Sequence, residues 1–110
     1  MSLDGEWAVT CLGWAAIFNP LGDVKVISGG EGYNRAVGIS GAWFYVCHEP
    51  APYDRFGEKK YTLDYNHIKN HEYLRDIIDI IEIQPDDTAK GKLYKGGKFK
   101  FDFTLTRISG

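Results

Sequence analysis

The sequence predicts an all-β fold, a small antiparallel β-barrel of about seven or eight strands with at most one or two short helices. Three observations predict it. Turn-forming clusters recur along the 110 residues and leave only short periodic segments between them. The last segment alternates, with Phe99, Phe101, Phe103, Leu105 and Arg107 at every second position. An arginine therefore shares a face with apolar rings. Its guanidinium requires a partner, and the first segment, which opens on Gly5-Glu6-Trp7, offers an indole face. First and last strands meet when a sheet closes on itself, and closure removes the edges that would otherwise aggregate.

Gly5 to Leu12 reads as the first strand, with Trp7, Val9 and Cys11 on one face. Leu12 to Leu21 is apolar and ends in Asn19-Pro20 before Gly22-Asp23, the pattern of a short helix or lid stopped by proline. Val24 to Ser28 is β-branched and strand-like. Gly29-Gly30-Glu31-Gly32 then breaks the chain.

Arg35 to Cys47 is the longest strand candidate. Ala36, Gly38, Ser40, Ala42, Phe44 and Val46 oppose Val37, Ile39, Trp43, Tyr45 and Cys47. Gly38 and Gly41 inside it mark a bend, a bulge or a turn between two strands. His48 to Lys59 carries Pro50, Pro52 and Gly57 and reads as a loop. Tyr61 to Asn66 alternates, with Tyr61, Leu63 and Tyr65 on one side.

Ile68 to Ile83 fits two periods. Leu74, Ile77, Ile78 and Ile81 make a helical stripe that Asn70 would cap, whereas β-branched isoleucines favour a strand. The preferred reading is a loop or helical turn followed by a strand near Ile77 to Ile83. Pro85-Asp86-Asp87 is a turn. Ala89 to Tyr94 and Phe99 to Ile108 flank Gly96-Gly97 as a hairpin in which Tyr94 faces Phe99, both pointing inward.

This length is that of one domain, taken as 1–110, and a 44% hydrophobic, 15% aromatic composition is enough for a packed core. The net charge of -2 argues against a nucleic-acid partner and against membrane contact. The N-terminus lacks the basic patch of a secretory leader, and Leu12 to Phe18 is too short to span a bilayer. Cys11 and Cys47 are too few for a disulfide scaffold, so reduced thiols and a cytoplasmic location are expected, with a single Cys11–Cys47 bridge the alternative for an exported chain.

Gly5-Glu6-Trp7 resembles the G-x-W of the calycins, the lipocalins and fatty-acid-binding proteins. Arg107 in Leu105-Thr106-Arg107-Ile108 resembles their last-strand arginine, which packs across that tryptophan at the closed end of the barrel. The resemblance covers the two chain ends and implies a barrel whose other end takes apolar small molecules. Arg107-Ile108-Ser109 lacks the tyrosine of the Arg-x-Tyr with which fatty-acid-binding proteins grip a carboxylate, and Leu12 to Leu21 is shorter than their helical lid.

Gly5, Trp7 and Arg107 are thus structural candidates, and Trp43, Tyr45, Tyr61, Tyr65, Asn66, Phe101 and Phe103 candidate ligand contacts. Tyr33-Asn34-Arg35 after the glycines is either a polar rim or an ordinary strand start, and no helix pattern follows it to make a dinucleotide site. Asp64, Asn66, His67 and His71 form the densest polar cluster. With Glu72 or His48 it lacks a diagnostic metal spacing, so no metal and no cofactor are expected. Asp64, Tyr33 and His67 are the candidates for proton transfer. Asp76, Asp79, Glu82, Asp86 and Asp87 make one acidic stretch, and Lys90, Lys92, Lys95, Lys98 and Lys100 a basic one, read as solvated faces that attract each other.

The function expected from these residues is binding of an apolar or amphipathic, lipid-like small molecule inside the barrel. A second expectation is a small lyase, isomerase or cyclase on a hydrophobic substrate. A third is a domain that forms a homodimer through one sheet face.

Overall fold

The computed structural model describes residues 3–47 and 60–109. Its strands are β1 (Gly5–Cys11), β2 (Val24–Ser28), β3 (Glu31–Ala36), β4 (Ile39–Cys47), β5 (Lys60–Asp64), β6 (Ile77–Ile83), β7 (Thr88–Lys95) and β8 (Lys98–Ser109). Each pairs antiparallel with the next, and β8 pairs with β1 to close the barrel. The His48 to Lys59 loop expected from sequence lies outside the described residues.

Leu12 to Leu21 contains a 3-10 helix, Gly13–Leu21, ended by Gly22 in the left-handed region. Pro20 within it has no N–H to donate, which limits a longer helix. The helical stripe considered for Ile68 to Ile83 does not form. A loop with a short 3-10 turn at Glu72–Leu74 leads directly into β6, where isoleucines pack on a pleated surface.

The strand candidate from Arg35 to Cys47 is two strands. Val37 and Gly38 both have positive φ (51° and 77°), and Ala36 pairs with Ile39 across this two-residue turn. Valine is β-branched and disfavoured there, so the turn is a point of backbone strain. Gly29 and Gly30 make the turn before β3 in the same region of φ, so Glu31 and Gly32 continue into the strand instead of breaking it.

One register feature overturns a sequence expectation. Leu93 pairs with Phe101 but Tyr94 pairs with Phe99, which makes Lys100 an extra residue in β8. The alternation of β8 therefore flips at this bulge. Tyr94 and Phe99 do meet, at 5.8 Å between ring centroids, but not inside. Phe99 is 49% exposed, with the Lys92 ammonium 5.1 Å from its ring.

The core holds Leu3, Trp7, Ile27, Phe44, Leu63, Tyr65, Ile81, Ala89, Phe103 and Leu105. Two glycines make room for its two phenylalanine rings. Gly32 lies opposite Phe44, and Gly91 opposite Phe103. A Cβ on Gly32 would sit 2.5 Å from the Phe44 ring, and one on Gly91 2.3 Å from the Phe103 ring. Each ring thus lies flat across the backbone of the neighbouring strand. Replacing either glycine by alanine should destabilise the barrel by about 1–3 kcal/mol through overpacking. Gly41→Ala, with open space at its Cβ, should be nearly neutral. Urea unfolding of the three variants checks this.

Candidate functional site

One end of the barrel is closed by Trp7. Its indole N–H donates to the Leu3 carbonyl at 2.9 Å, and the Arg107 guanidinium stacks 4.2 Å above its ring. The guanidinium is anchored in turn by Asp87, at 3.1 Å from Nε. β1 and β8 place these residues directly opposite each other.

Towards the other end the interior becomes polar. Asp23, Lys25 and Ile27 alternate along β2 and the residue before it, and Lys25 and Ile27 are buried. The Lys25 ammonium donates to Asn34 Oδ1 at 2.8 Å and to the Tyr65 hydroxyl at 2.7 Å, and lies 3.3 Å from Asp79 Oδ2. Tyr65 donates its own proton to Asp79 Oδ2 at 2.8 Å. Three acceptors around one amine require the ammonium form, and two donors on one oxygen suit a carboxylate. Burial alone would lower the Lys25 pKa, but its interactions with Tyr65, Asp79 and Asp23 outweigh it and hold the amine above its ordinary value.

Aromatic rings wrap this ion pair. Phe44, Tyr65 and Phe103 stand 5.5, 5.4 and 5.6 Å from the ammonium. Gly32 and Gly91 therefore serve the network, because they let Phe44 and Phe103 reach it. Asn34 is oriented by a bond from Nδ2 to the Ala42 carbonyl at 3.0 Å. Ala42 itself has positive φ (50°), at the irregularity where β4 shifts register against β3.

Tyr65 is held by Asn70, which is 4% exposed. β4 and β5 pair only from Tyr45 to Cys47. Beyond that, the Asn70 amide accepts from the Trp43 N–H at 2.8 Å and donates to the carbonyls of Trp43 and Tyr65 at 2.6 and 2.7 Å. A side chain thus stands in for missing ladder bonds. It does not cap a helix, as the sequence suggested.

Two buried oxygens, Asp79 Oδ1 and Asp23 Oδ1, have no hydrogen-bond partner among the described residues. Burial pushes the Asp23 carboxyl up against the pull of Lys25, and it pushes the Cys11 thiol up with help from Asp23. Above them, the inward residues Cys11, Ala42, Ile77, Leu93 and Phe101 are only partly buried. They sit where β1 and β7 end and β4, β6 and β8 begin, so they share one rim.

The 3-10 helix Gly13–Leu21 lies beside that rim. Trp14 donates to the carbonyl of the bulged Lys100 at 3.0 Å and packs edge-on to Phe101 at 5.5 Å. Asn19 bonds both the N–H and the carbonyl of Cys11, at 2.7 and 3.1 Å. Its outer surface leaves Trp14 61% and Ile17 73% exposed.

The structure divides the residues singled out from sequence. Tyr65 and Phe103 belong to the network, and Phe101 to the rim. Tyr61 packs on the core at the opposite end of β5. Trp43 and Tyr45 lie on the outer wall, because Phe44 and Val46 take the inward positions of β4. The Lys69 ammonium caps the Trp43 ring at 5.5 Å, and Tyr45 stacks on His67 at 4.7 Å. Asn66 is exposed and donates its N–H to Asp64.

The three proton-transfer candidates also miss the interior. Leu63 and Tyr65 point inward, so Asp64 points out, and Gly32 and Asn34 do the same to Tyr33. His67 is held on the outer wall, 3.3 Å from Glu31, and its Nδ1 accepts from the Lys69 N–H. His71 accepts from the Tyr73 N–H at the 3-10 turn. Lys25, Asp79 and Asp23 were the residues that sequence reasoning missed. Alternation on β2 and β6 was the available signal, masked by the isoleucines on both faces of β6.

Between the acidic and basic stretches the ion pair formed is Lys95 with Asp76, while Lys92 pairs with Asp102, Glu82 with Lys60 and Asp87 with Arg107 on the outside. Asp79 is the exception. Cys11 and Cys47 are not joined in a disulfide. Among the described residues no group of three or more His, Cys, Asp or Glu could hold a metal ion, and no helix is long and apolar enough to cross a membrane.

Lys25→Met strands Asp79 without its counter-charge and should cost about 3–5 kcal/mol in urea unfolding, whereas K25M/D79L should recover most of that loss. Asp23 makes a pH-dependent prediction. Its raised pKa means that the folded state favours the protonated form. That contribution is complete below the ordinary carboxylate value of about 3.9 and is lost as pH rises through the raised value. Asp23→Asn should therefore change stability little near about pH 3.5 and raise it by about 1 kcal/mol near about pH 7. Urea midpoints at the two pH values check the sign.

Neither a protein-family model, nor a curated protein, nor a solved structure matches this chain.

Proposed function

We propose that this chain is a binding protein for an apolar or amphipathic small molecule, taken up at the rim beside Gly13–Leu21. The observation that carries the reading is the Lys25–Tyr65–Asp79 network, buried beneath an incompletely buried apolar rim. Stability alone is a poor reason for such a pair, because well-packed apolar residues in its place are often neutral or better. A few convergent polar groups under an apolar lining are what a small-molecule site uses.

Trp7, Phe44, Leu63, Ile81 and Leu105 are fully buried and fill the lower interior. The occupant is therefore small or enters only part way. The calycin resemblance supports the same reading, through eight strands in up-and-down order and an Arg107–Trp7 stack at the filled end. Phe101, Phe103 and Tyr65 are the ligand contacts in this proposal, joined by Leu93 and Ile77.

The raised Asp23 carboxyl favours one alternative, a small barrel enzyme in which Asp23 moves a proton on a hydrophobic substrate. Chemical change of a retained molecule, followed by mass spectrometry, separates the two.

Nile red titration tests the binding reading. Fluorescence should rise to saturation at one dye per chain, and Leu93→Trp and Cys11→Phe, which fill the rim, should abolish the rise while circular dichroism stays unchanged. Absence of saturable binding, or binding unaltered in both variants, overturns it.

A further inference from the structure

We propose that the barrel site selects a head group that donates hydrogen bonds, an alkyl amine above all and then an alcohol, over a carboxylate, through Asp79 Oδ1 and Asp23 Oδ1. The inference rests on the binding reading above and adds the chemistry of the ligand.

A count of protons leads to it. The Lys25 ammonium spends its donors on Asn34, Tyr65 and Asp79. Tyr65 spends its single proton on Asp79. The Asn34 amide turns its donors to the Ala42 carbonyl and, at 3.4 Å, to the Tyr65 oxygen. No donor of these three side chains is left over for a ligand carboxylate.

Acceptors are left over. Asp79 has a fully buried side chain, and its Oδ1 and that of Asp23 are the buried side-chain oxygens without a hydrogen-bond partner among the described residues. Asp23, Lys25 and Asp79 lie close enough to perturb one another electrostatically. The second Asp79 oxygen is committed to Tyr65 and Lys25, so the two carboxylates are not equivalent to a pair of solvated acids.

Charge points the same way. The network holds one ammonium and two carboxyl groups, and the nearby Arg35 guanidinium turns away to Glu6 at 2.9 Å. With both carboxyl groups ionised, an incoming carboxylate would meet net negative charge and no donor left over on Lys25, Tyr65 or Asn34. An incoming ammonium would meet two acceptors that are costly to leave unmet. This is the opposite polarity from a site that grips an anion with arginine, and Arg107 is occupied at the other end by Trp7 and Asp87.

Competition against bound Nile red, with decylamine, decanol and decanoate as probes of one chain length, tests the proposal. Decylamine should compete at least about tenfold better than decanoate, with decanol between them. Asp23→Asn, which turns one acceptor into an amide, should narrow that ratio severalfold while circular dichroism is unchanged. Equal or stronger competition by decanoate overturns the proposal and leaves the binding reading standing. An amine preference untouched by Asp23→Asn overturns the role given to Asp23. If neither the dye nor any of the three probes binds, the binding reading itself falls and this inference with it.

Discussion

Lys25 has to find its counter-charge across the inside of a closed sheet, and much of the surrounding structure answers to that requirement. An ammonium in a low-dielectric interior is tolerable only when every proton is met. Asn34 from β3, Tyr65 beyond β5 and Asp79 from β6 meet them, so one side chain ties several strands together through the middle of the barrel. Phe44 and Phe103 exclude water from the pair, and they reach it only because Gly32 and Gly91 leave room on the neighbouring strands.

The supports of this pair are unusual in their own right. Asn70 substitutes for backbone where β4 and β5 separate, and so fixes the carbonyl of Tyr65. Ala42, whose carbonyl orients Asn34, sits at positive φ in an irregular stretch of β4. Strained backbone clusters at sites that a protein holds in shape for a purpose. The two ends of the barrel differ accordingly. One is sealed by Trp7 and Arg107, and the other combines a polar floor, partly buried apolar walls and a 3-10 segment pinned by Trp14 and Asn19.

The bulge at Lys100 joins these features. An extra residue turns Phe99 out to Lys92 and leaves the Lys100 carbonyl free to take the Trp14 indole. A single register shift thus moves one aromatic from the interior to the wall and anchors the segment that borders the rim. Alternation counted along the sequence carries no trace of it, because Phe99, Phe101 and Phe103 keep an unbroken period of two.

Local chemistry settled the class of fold. Turn residues, period-two alternation and the need of Arg107 for an aromatic partner are all written in neighbouring residues or at the chain ends, and they suffice for an antiparallel barrel. The strand at Ile77–Ile83 was also legible, as was the hairpin at Gly96-Gly97. The inside of the barrel was not. Which face of β4 points inward depends on a bulge at Ala42, and Asp79 sits among isoleucines that occupy both faces of β6. Lys25 and Asp79 are 54 positions apart in a sequence where each looks like an ordinary surface charge. Only closure of the sheet, which makes neighbours of strands remote in the chain, turned them into a buried pair.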